Sequence, residues 1–216
     1  MKTLVIADLH LRNAFDQRLF DFLKNLISDA QQVIINGDLI EGDLAYWQDI
    51  FSGKWSKLWE LFSKKKSIYI LGNHDSDIEI DELKKLNIFS EIGTSYNFIH
   101  QDMKVHVEHG HRFTNESPLR SLPRSLLKPV AYVNRIKDSI LDQIWPYKGK
   151  NKIDYKQLKN AEIETNPEAD IFILSHTHQP YADEDEKIYN TGSIRFGFAS
   201  WITIEDGKVK IHKAKY

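Results

Sequence analysis

Short apolar runs rich in Val and Ile alternate along the chain with longer stretches of helical periodicity. Five runs predict strands: TLVIA at 3–7, VIIN at 33–36, SIYIL at 67–71, VHVEH at 105–109 and DIFILS at 170–175. Runs of this kind are typical of strands buried on both faces, while the alternation in VHVEH indicates one less covered face. Strands that alternate with helices predict an α/β fold.

Two stretches between these strands have the spacing of amphipathic helices. In residues 15–28, FDQRLFDFLKNLIS, apolar side chains recur every three or four positions. Residues 44–62 contain three tryptophans as a large apolar surface, and Gly53 predicts a break there. After residue 186 the pattern predicts a terminal run of strands joined by turns such as EDGK at 205–208.

A basic segment, residues 115–160, interrupts this alternation with ten Lys or Arg and four Asp or Glu. Its spacing predicts an amphipathic helical insertion whose apolar residues are Leu119, Leu122, Leu126, Val130, Val133, Ile136, Ile140 and Ile144. Two interpretations remain open. Either the leucines of a helix pair face the core, or the segment is a lid whose Arg and Lys hold phosphate groups and whose apolar face meets a lipid or nucleotide.

Composition narrows the class of protein. A length of 216 residues suffices for a single domain over 1–216 that carries residues 115–160 as an inserted cap. The sequence has no Cys, which excludes disulfides, thiolate zinc sites and cysteine nucleophiles and fits a cytoplasmic protein. The first apolar run is too short for a signal peptide, and we expect no transmembrane segment.

Each of the five predicted strands ends in side chains that can bind a metal ion. In chain order these are Asp8 and His10, Asp38, Asn73 and His74, His109, and His176 and His178. Strand carboxyl ends share one edge of a sheet, where α/β proteins bind ligands. Carboxylate, imidazole and amide donors suit manganese, iron, zinc or nickel. Each ending alone could be an ordinary turn, but burying so many His and Asp is costly without pairing or a metal.

The order of these motifs resembles the calcineurin-like metallophosphoesterase superfamily. The motifs are DLH at 8–10, GDLIE at 37–41, GNHD at 72–75, His109 in EHGH, and HTH at 176–178. The resemblance covers roughly residues 1–110 and 170–195, and Ser175 stands where a glycine usually precedes the last motif. It implies a four-layer αββα sandwich with a helical cap, and a dinuclear metal-dependent hydrolase of phosphoester or pyrophosphate bonds.

The resemblance also implies the ligands of the two metal ions. One ion would be held by Asp8, His10, Asp38 and His178. The other would be held by Asp38, Asn73, His109 and His176, with Asp38 bridging. Manganese is the first expectation for both ions, with iron, zinc, nickel and magnesium as alternatives. A hydroxide shared by the ions would attack phosphorus.

Other residues have expected roles around the ligands. His74 is not a ligand in that superfamily and would face the substrate, either stabilising the transition state or protonating the leaving oxygen. Asp75 or Glu41 would orient His74, and the sequence leaves both open. Asp75 is a candidate catalytic residue together with His74. His111 is a second-rank ligand candidate on the same side of a strand as His109. The candidate substrate-binding residues in the cap are Arg120, Arg124 and Arg135.

The phosphorylated substrate remains open among a nucleotide, a nucleotide-linked lipid and a nucleic acid. One branch of the superfamily, the UDP-2,3-diacylglucosamine hydrolases, is similar in the placement of the cap and in the sequences ADLHL, HTHQP and NTGS. That branch usually carries Arg at the position of His74 and Asp at that of His111. GNHDS is closer to general and cyclic-nucleotide phosphodiesterases and to exonucleases, whose further DNA-binding part has no counterpart here. A basic lid would also suit nucleic acid.

Two non-catalytic functions compete with or accompany these activities. A scaffold on the same fold is disfavoured, because every ligand position and His74 are filled. Peripheral membrane contact through the 119–145 helix is compatible with catalysis.

Overall fold

A computed structural model describes residues 1–114, 124–147, 163 and 166–216 of the protein. Its strands are β1 (Thr3–Ile6), β2 (Gln32–Asn36), β3 (Lys66–Ile70), β4 (Glu91–Gly93), β5 (Ser95–His100), β6 (Met103–Glu108), β7 (Ile171–Leu174), β8 (Tyr181–Asp183), β9 (Ile188–Asn190), β10 (Ile194–Arg195), β11 (Phe198–Glu205) and β12 (Lys208–Lys215). Its helices are α1 (Gln17–Ser28), α2 (Trp47–Ser52), α3 (Ser56–Ser63), α4 (Ile80–Lys85) and α5 (Arg124–Ile144).

These strands form two sheets. The first has the order β10-β11-β1-β2-β3-β4, with β12 paired along β11, and β1 to β4 run parallel. The second has the order β5-β6-β7-β9-β8, in which β6, β7 and β9 run parallel. The α/β prediction is therefore confirmed, with two sheets and helices.

The core lies in two layers. Helices α1 to α4 pack on the outer face of the first sheet through residues such as Leu23, Trp59 and Leu83. A second cluster fills the space between the sheets and includes Ile34, Ile70, Val107 and Ile173. In the part of the chain that is described, a smaller cluster on the outer face of the second sheet packs against Phe113, Ala169 and Tyr181. A fourth, helical layer on that face stays a prediction.

The five predicted strands correspond to β1, β2, β3, β6 and β7, and the terminal run to β9 to β12. The first predicted helix begins at Gln17, because the Asp16 carboxylate accepts hydrogen bonds from the backbone N–H groups of Arg18 and Leu19. Gly53 separates α2 from α3 as predicted. The strands β4, β5 and β8 and the helix α4 were not predicted.

The basic insertion contains α5, but its apolar residues do not face the core. The described ones are all exposed by between 41% and 64% of their surface: Leu126, Val130, Val133, Ile136, Ile140 and Ile144. The interpretation with core-facing leucines is therefore wrong for this helix. Leu119, Leu122 and Arg120 lie outside the described residues, as does the side chain of Arg124.

The opposite face of α5 contacts the first sheet and the loops at its edge. Arg195 forms ion pairs with Asp138 and Asp142, and Gln143 donates a hydrogen bond to the Phe196 carbonyl. No helix among the described residues is long and apolar enough to cross a membrane. The cytoplasmic location and the division into one domain with a cap stay predictions.

Candidate metal centre

The predicted ligands lie at the carboxyl edges of β1, β2, β3, β6 and β7, as expected for parallel strands. Five of them adopt left-handed backbone conformations with φ between 47° and 67°: Asp8, His10, Asp38, His176 and His178. This conformation is uncommon for residues other than glycine and costs free energy. Its concentration at one edge indicates that the chain is bent there to bring these side chains together.

The first group of donors consists of Asp8, His10, Asp38 and His178. One donor atom from each lies within 4.8 Å of the donor atoms of the others. His178 Nε2 is 3.0 Å from Asp8 Oδ1 and 3.2 Å from His10 Nε2. His10 Nε2 is 3.8 Å from both Asp8 Oδ1 and Asp38 Oδ2.

The second group contains Asp38, His109 and His176. His109 Nε2 lies 3.4 Å from Asp38 Oδ2. Asn73 joins this group, since its Oδ1 is 3.2 Å from His109 Nε2 and 3.1 Å from His176 Nδ1. The structure thus brings together the two sets of residues expected from the sequence, with Asp38 in both.

Close packing of glycine fixes the position of Asp38 and His109. A Cβ atom on Gly72 would lie 2.2 Å from Asp38 Oδ1, and one on Gly37 would lie 2.1 Å from His109 Nδ1. Gly37 also has a φ of 85°, which favours glycine. The glycines in the GD and GN motifs are therefore needed so that backbone and ligand side chains can approach each other.

Burial and mutual charge shift the pKa values of these groups strongly. Burial, with a further contribution from Asp38, raises the pKa of Asp8 to about 7. Burial, followed by the charge of His109, lowers the pKa of His176 to about 3, so this imidazole is neutral at pH 7. Burial alone would also raise the pKa of Asp38, but the nearby His109 and His74 hold it well below its usual range.

The donor set fits divalent cations. Asp8 and Asp38 are almost wholly buried, and two adjacent buried carboxylates need compensating positive charge. Such ions coordinate neutral imidazole, carboxylate and amide oxygen, so binding them would release protons from His109 and Asp8. His10 Nε2 and His178 Nε2 point at each other, as two ligands of one ion do. The number and identity of the ions stay predictions.

Glu41 connects the donors to His74. Its Oε2 lies 3.3 Å from His10 Nδ1, and its Oε1 lies 2.8 Å from His74 Nδ1. A carboxylate on the outer nitrogen of a ligand histidine fixes its tautomer and orientation. His74 Nε2 is left facing the cluster, 4.0 Å from Asp38 Oδ2, and the His74 side chain is 19% exposed.

Asp75 has a different environment from Glu41. Its carboxylate accepts hydrogen bonds from the backbone N–H groups of Asp38 and Gly72, both at 2.8 Å, and of Ile40 at 3.2 Å. These bonds join the GD loop after β2 to the GN loop after β3. Of the two carboxylates left open by the sequence, Glu41 is therefore the one in contact with the His74 ring.

Sequence reasoning missed several contacts to the candidate ligand histidines, including that of Glu41 with His10. The Ser175 hydroxyl lies 2.8 Å from His109 Nδ1 and donates to the Asn36 carbonyl at 2.6 Å. Thr114 Oγ1 lies 2.9 Å from His176 Nε2. The serine at position 175, where a glycine is usual, was visible in the sequence, but the sequence alone does not show that its hydroxyl meets His109.

The remaining candidates lie around the donors. The His111 ring is 5.4 Å from that of His109 and 6.3 Å from that of His176, at the first position of a short 3-10 turn, His111–Phe113. It belongs to neither group of donors. Arg135 on α5 reaches the site, with its Nη1 3.4 Å from Glu41 Oε2.

Comparison with known proteins extends this picture. Residues 1–180 match the family model of calcineurin-like phosphoesterases. An archaeal phosphodiesterase has a similar structure, with a TM-score of 0.52, 15% sequence identity and 100% of both chains covered. The phosphoesterase Yfce from E. coli has a TM-score of 0.51 and 18% identity, with 100% of this chain and 99% of that chain covered. No curated protein sequence matches the chain.

Proposed function

The chain belongs to the calcineurin-like phosphoesterase family, and from that membership we propose that it hydrolyses phosphoester or pyrophosphate bonds at a centre of two divalent metal ions. The observation that supports this most is Asp38, whose Oδ2 lies within 4 Å of His10 Nε2 and His109 Nε2, one from each donor group. A carboxylate in that position can be shared by two ions. Manganese is the ion we propose first, because oxygen and imidazole donors without thiolate suit it.

Two ions at this centre would supply an activated water as nucleophile and neutralise charge on the phosphoryl oxygens. The protein itself supplies the side chain that would donate a proton or a hydrogen bond to the leaving oxygen. Glu41 holds His74 Nδ1, so His74 Nε2 is directed at the cluster and can donate a proton or a hydrogen bond there. We assign Asp75 a positioning role, since its carboxylate ties together the two loops that carry Asp38 and Asn73.

The proposed function is tested by assaying metal-reconstituted protein against four phosphate compounds. These are bis-p-nitrophenyl phosphate, a UDP-sugar lipid, a cyclic nucleotide and single-stranded DNA. We expect manganese-dependent hydrolysis of at least one, lost on chelation and restored by manganese. Protein that binds metal but hydrolyses none of them, like a scaffold on this fold, would contradict the proposal.

A second candidate function, peripheral contact with a lipid surface, is favoured by the exposed apolar face of α5. Seven aliphatic side chains on this helix are exposed, in a segment with excess positive charge. Such a face can insert between lipids while basic residues meet anionic headgroups.

Vesicle binding tests this candidate. The double substitution Val133→Ser with Ile140→Ser should reduce co-sedimentation with phosphatidylserine-containing vesicles by roughly tenfold, because two aliphatic side chains no longer leave water. Ile99→Ser, an equally exposed aliphatic residue on β5, is the matched control. Equal pelleting of the double variant and the control would end the membrane hypothesis.

A further inference from the structure

A cavity of about 620 Å³ opens beside the metal centre. His10 lines this cavity and also belongs to the first donor group, so the two spaces adjoin. The other charged side chains in its wall are four arginines and one carboxylate: Arg12, Arg18, Arg135, Arg195 and Asp16. A concave, arginine-rich wall next to a hydrolytic centre is a feature that the cleavage reaction itself does not require.

Arg195 is held in the cavity wall with one donor unused. The residue is 6% exposed, and its Nη2 lies 3.1 Å from Asp142 and its Nη1 3.7 Å from Asp138. Neither carboxylate lines the cavity. The Arg195 Nε is buried and has no hydrogen-bond partner among the described residues. Because the Arg195 guanidinium group lines the cavity, an anion bound there would add a second partner for its positive charge.

Arg135 lies on the same wall as Arg195, and one aromatic ring supports both. The guanidinium carbon of Arg135 is 4.8 Å from the centre of the Phe196 ring, and that of Arg195 is 5.1 Å from it. Phe196 has a φ of 55°, which is an uncommon conformation for a bulky residue. This backbone conformation places the ring where it stacks on the two guanidinium groups and limits their rotation.

The positive charges of the wall are close enough to repel one another. Burial, followed by the charge of Arg12, lowers the pKa of Arg135 to about 10, so Arg135 remains protonated at neutral pH. Glu41 offsets part of this charge from the metal side. The guanidinium group of Arg12 forms no ion pair or hydrogen bond with the described residues. An anion placed among Arg12, Arg135 and Arg195 would relieve this repulsion.

We propose that Arg12, Arg135 and Arg195 bind a second phosphate group of the substrate, next to the phosphate that is hydrolysed. This inference rests on the proposed function and narrows its substrate to compounds that carry two phosphate groups. Guanidinium groups suit phosphate because their paired N–H donors match its oxygens. Phe15 and Trp55, which line the same cavity, provide an apolar wall for the organic part of such a substrate.

Two substrates that differ in one phosphate test the inference. Thymidine 5′-(p-nitrophenyl phosphate) and its 3′-phosphorylated counterpart share nucleoside and leaving group, so their kcat/KM ratio measures recognition of the added phosphate. Wild-type protein should prefer the second substrate. Arg12→Gln, which breaks no hydrogen bond or ion pair within the described residues, should lower that preference by about ten- to a hundredfold, mainly through KM. Lys24→Gln, an exposed cation on α1 outside the cavity, should leave it unchanged.

A second variant keeps the test informative if Arg12→Gln fails to fold. Arg195→Lys keeps a positive charge beside Asp142 but removes the paired N–H donors of the guanidinium group, and it should lower the preference in the same direction. If wild-type protein hydrolyses both substrates equally, or if Arg12→Gln lowers kcat/KM for both by the same factor, the inference is wrong and the proposed function stands. If wild-type protein hydrolyses neither these nor other phosphoesters, the proposed function fails first.

Discussion

Replacing Asp38 by Asn should reduce phosphoesterase activity by about a thousandfold or more and release bound metal from both donor groups. Asp38 Oδ2 is the carboxylate oxygen that both groups share, at 3.8 Å from His10 Nε2 and 3.4 Å from His109 Nε2. Asn has nearly the same size, so the loss of negative charge is the main change. Turnover measures the first effect, and elemental analysis of the dialysed protein measures the second.

The matched control for this substitution is Asp81→Asn, in which the same change is made on a side chain that is 94% exposed. It should bind metal and turn over like the wild type. An Asp38→Asn protein that retained two equivalents of metal together with wild-type turnover would show that Asp38 does not bridge the two groups. Thermal unfolding of the metal-free proteins separates a folding defect from a loss of metal.

Replacing His74 by Gln should leave metal content unchanged and lower kcat by about two to four orders of magnitude. Glu41 contacts His74 Nδ1, and His74 Nε2 faces the cluster at 4.0 Å from Asp38. His74 belongs to neither donor group, so its loss should not release metal. If His74 protonates the leaving oxygen, the loss should be larger for an alkyl ester than for a p-nitrophenyl ester. A p-nitrophenolate ion needs little protonation to leave, so its ester depends less on His74.

Two further variants define the role of His74. Glu41→Gln should lower kcat in the same direction, because Glu41 orients the His74 ring and does not itself meet the substrate. His212→Gln on β12, a histidine far along the chain from the motifs, is the matched control. Unchanged rates for His74→Gln on both ester types would remove His74 from the mechanism.

The sequence predicted the donor residues well because parallel strands place their carboxyl ends at one edge of each sheet. Asp8 and Asp38 follow runs that pair as β1 and β2 in the first sheet, whereas His109 follows β6 in the second sheet. Their meeting therefore also required the two sheets to stack with their carboxyl edges together, which no local pattern indicates. The choice between Glu41 and Asp75 could not be made in this way. Both carboxylates lie close to the motifs in sequence, and only the bend of each loop decides which one meets His74.

The environment of α5 and the arginine-lined cavity also escaped prediction. Periodicity shows that one face of a helix is apolar, but it does not show what covers that face, and in α5 Val133 and Ile140 are exposed. Arg12 and Arg195 lie near opposite ends of the chain and belong to no motif. Their meeting depends on the antiparallel pairing of β11 with β1 and β10, which no local pattern indicates.

The proposed mechanism requires that two metal ions share Asp38. Crystals of manganese-reconstituted protein, measured on both sides of the manganese absorption edge, test it most directly. We expect two anomalous peaks about 3.5–4 Å apart, one among Asp8, His10 and His178 and the other among Asn73, His109 and His176, with Asp38 between them. A single peak, or peaks away from these side chains, would contradict it.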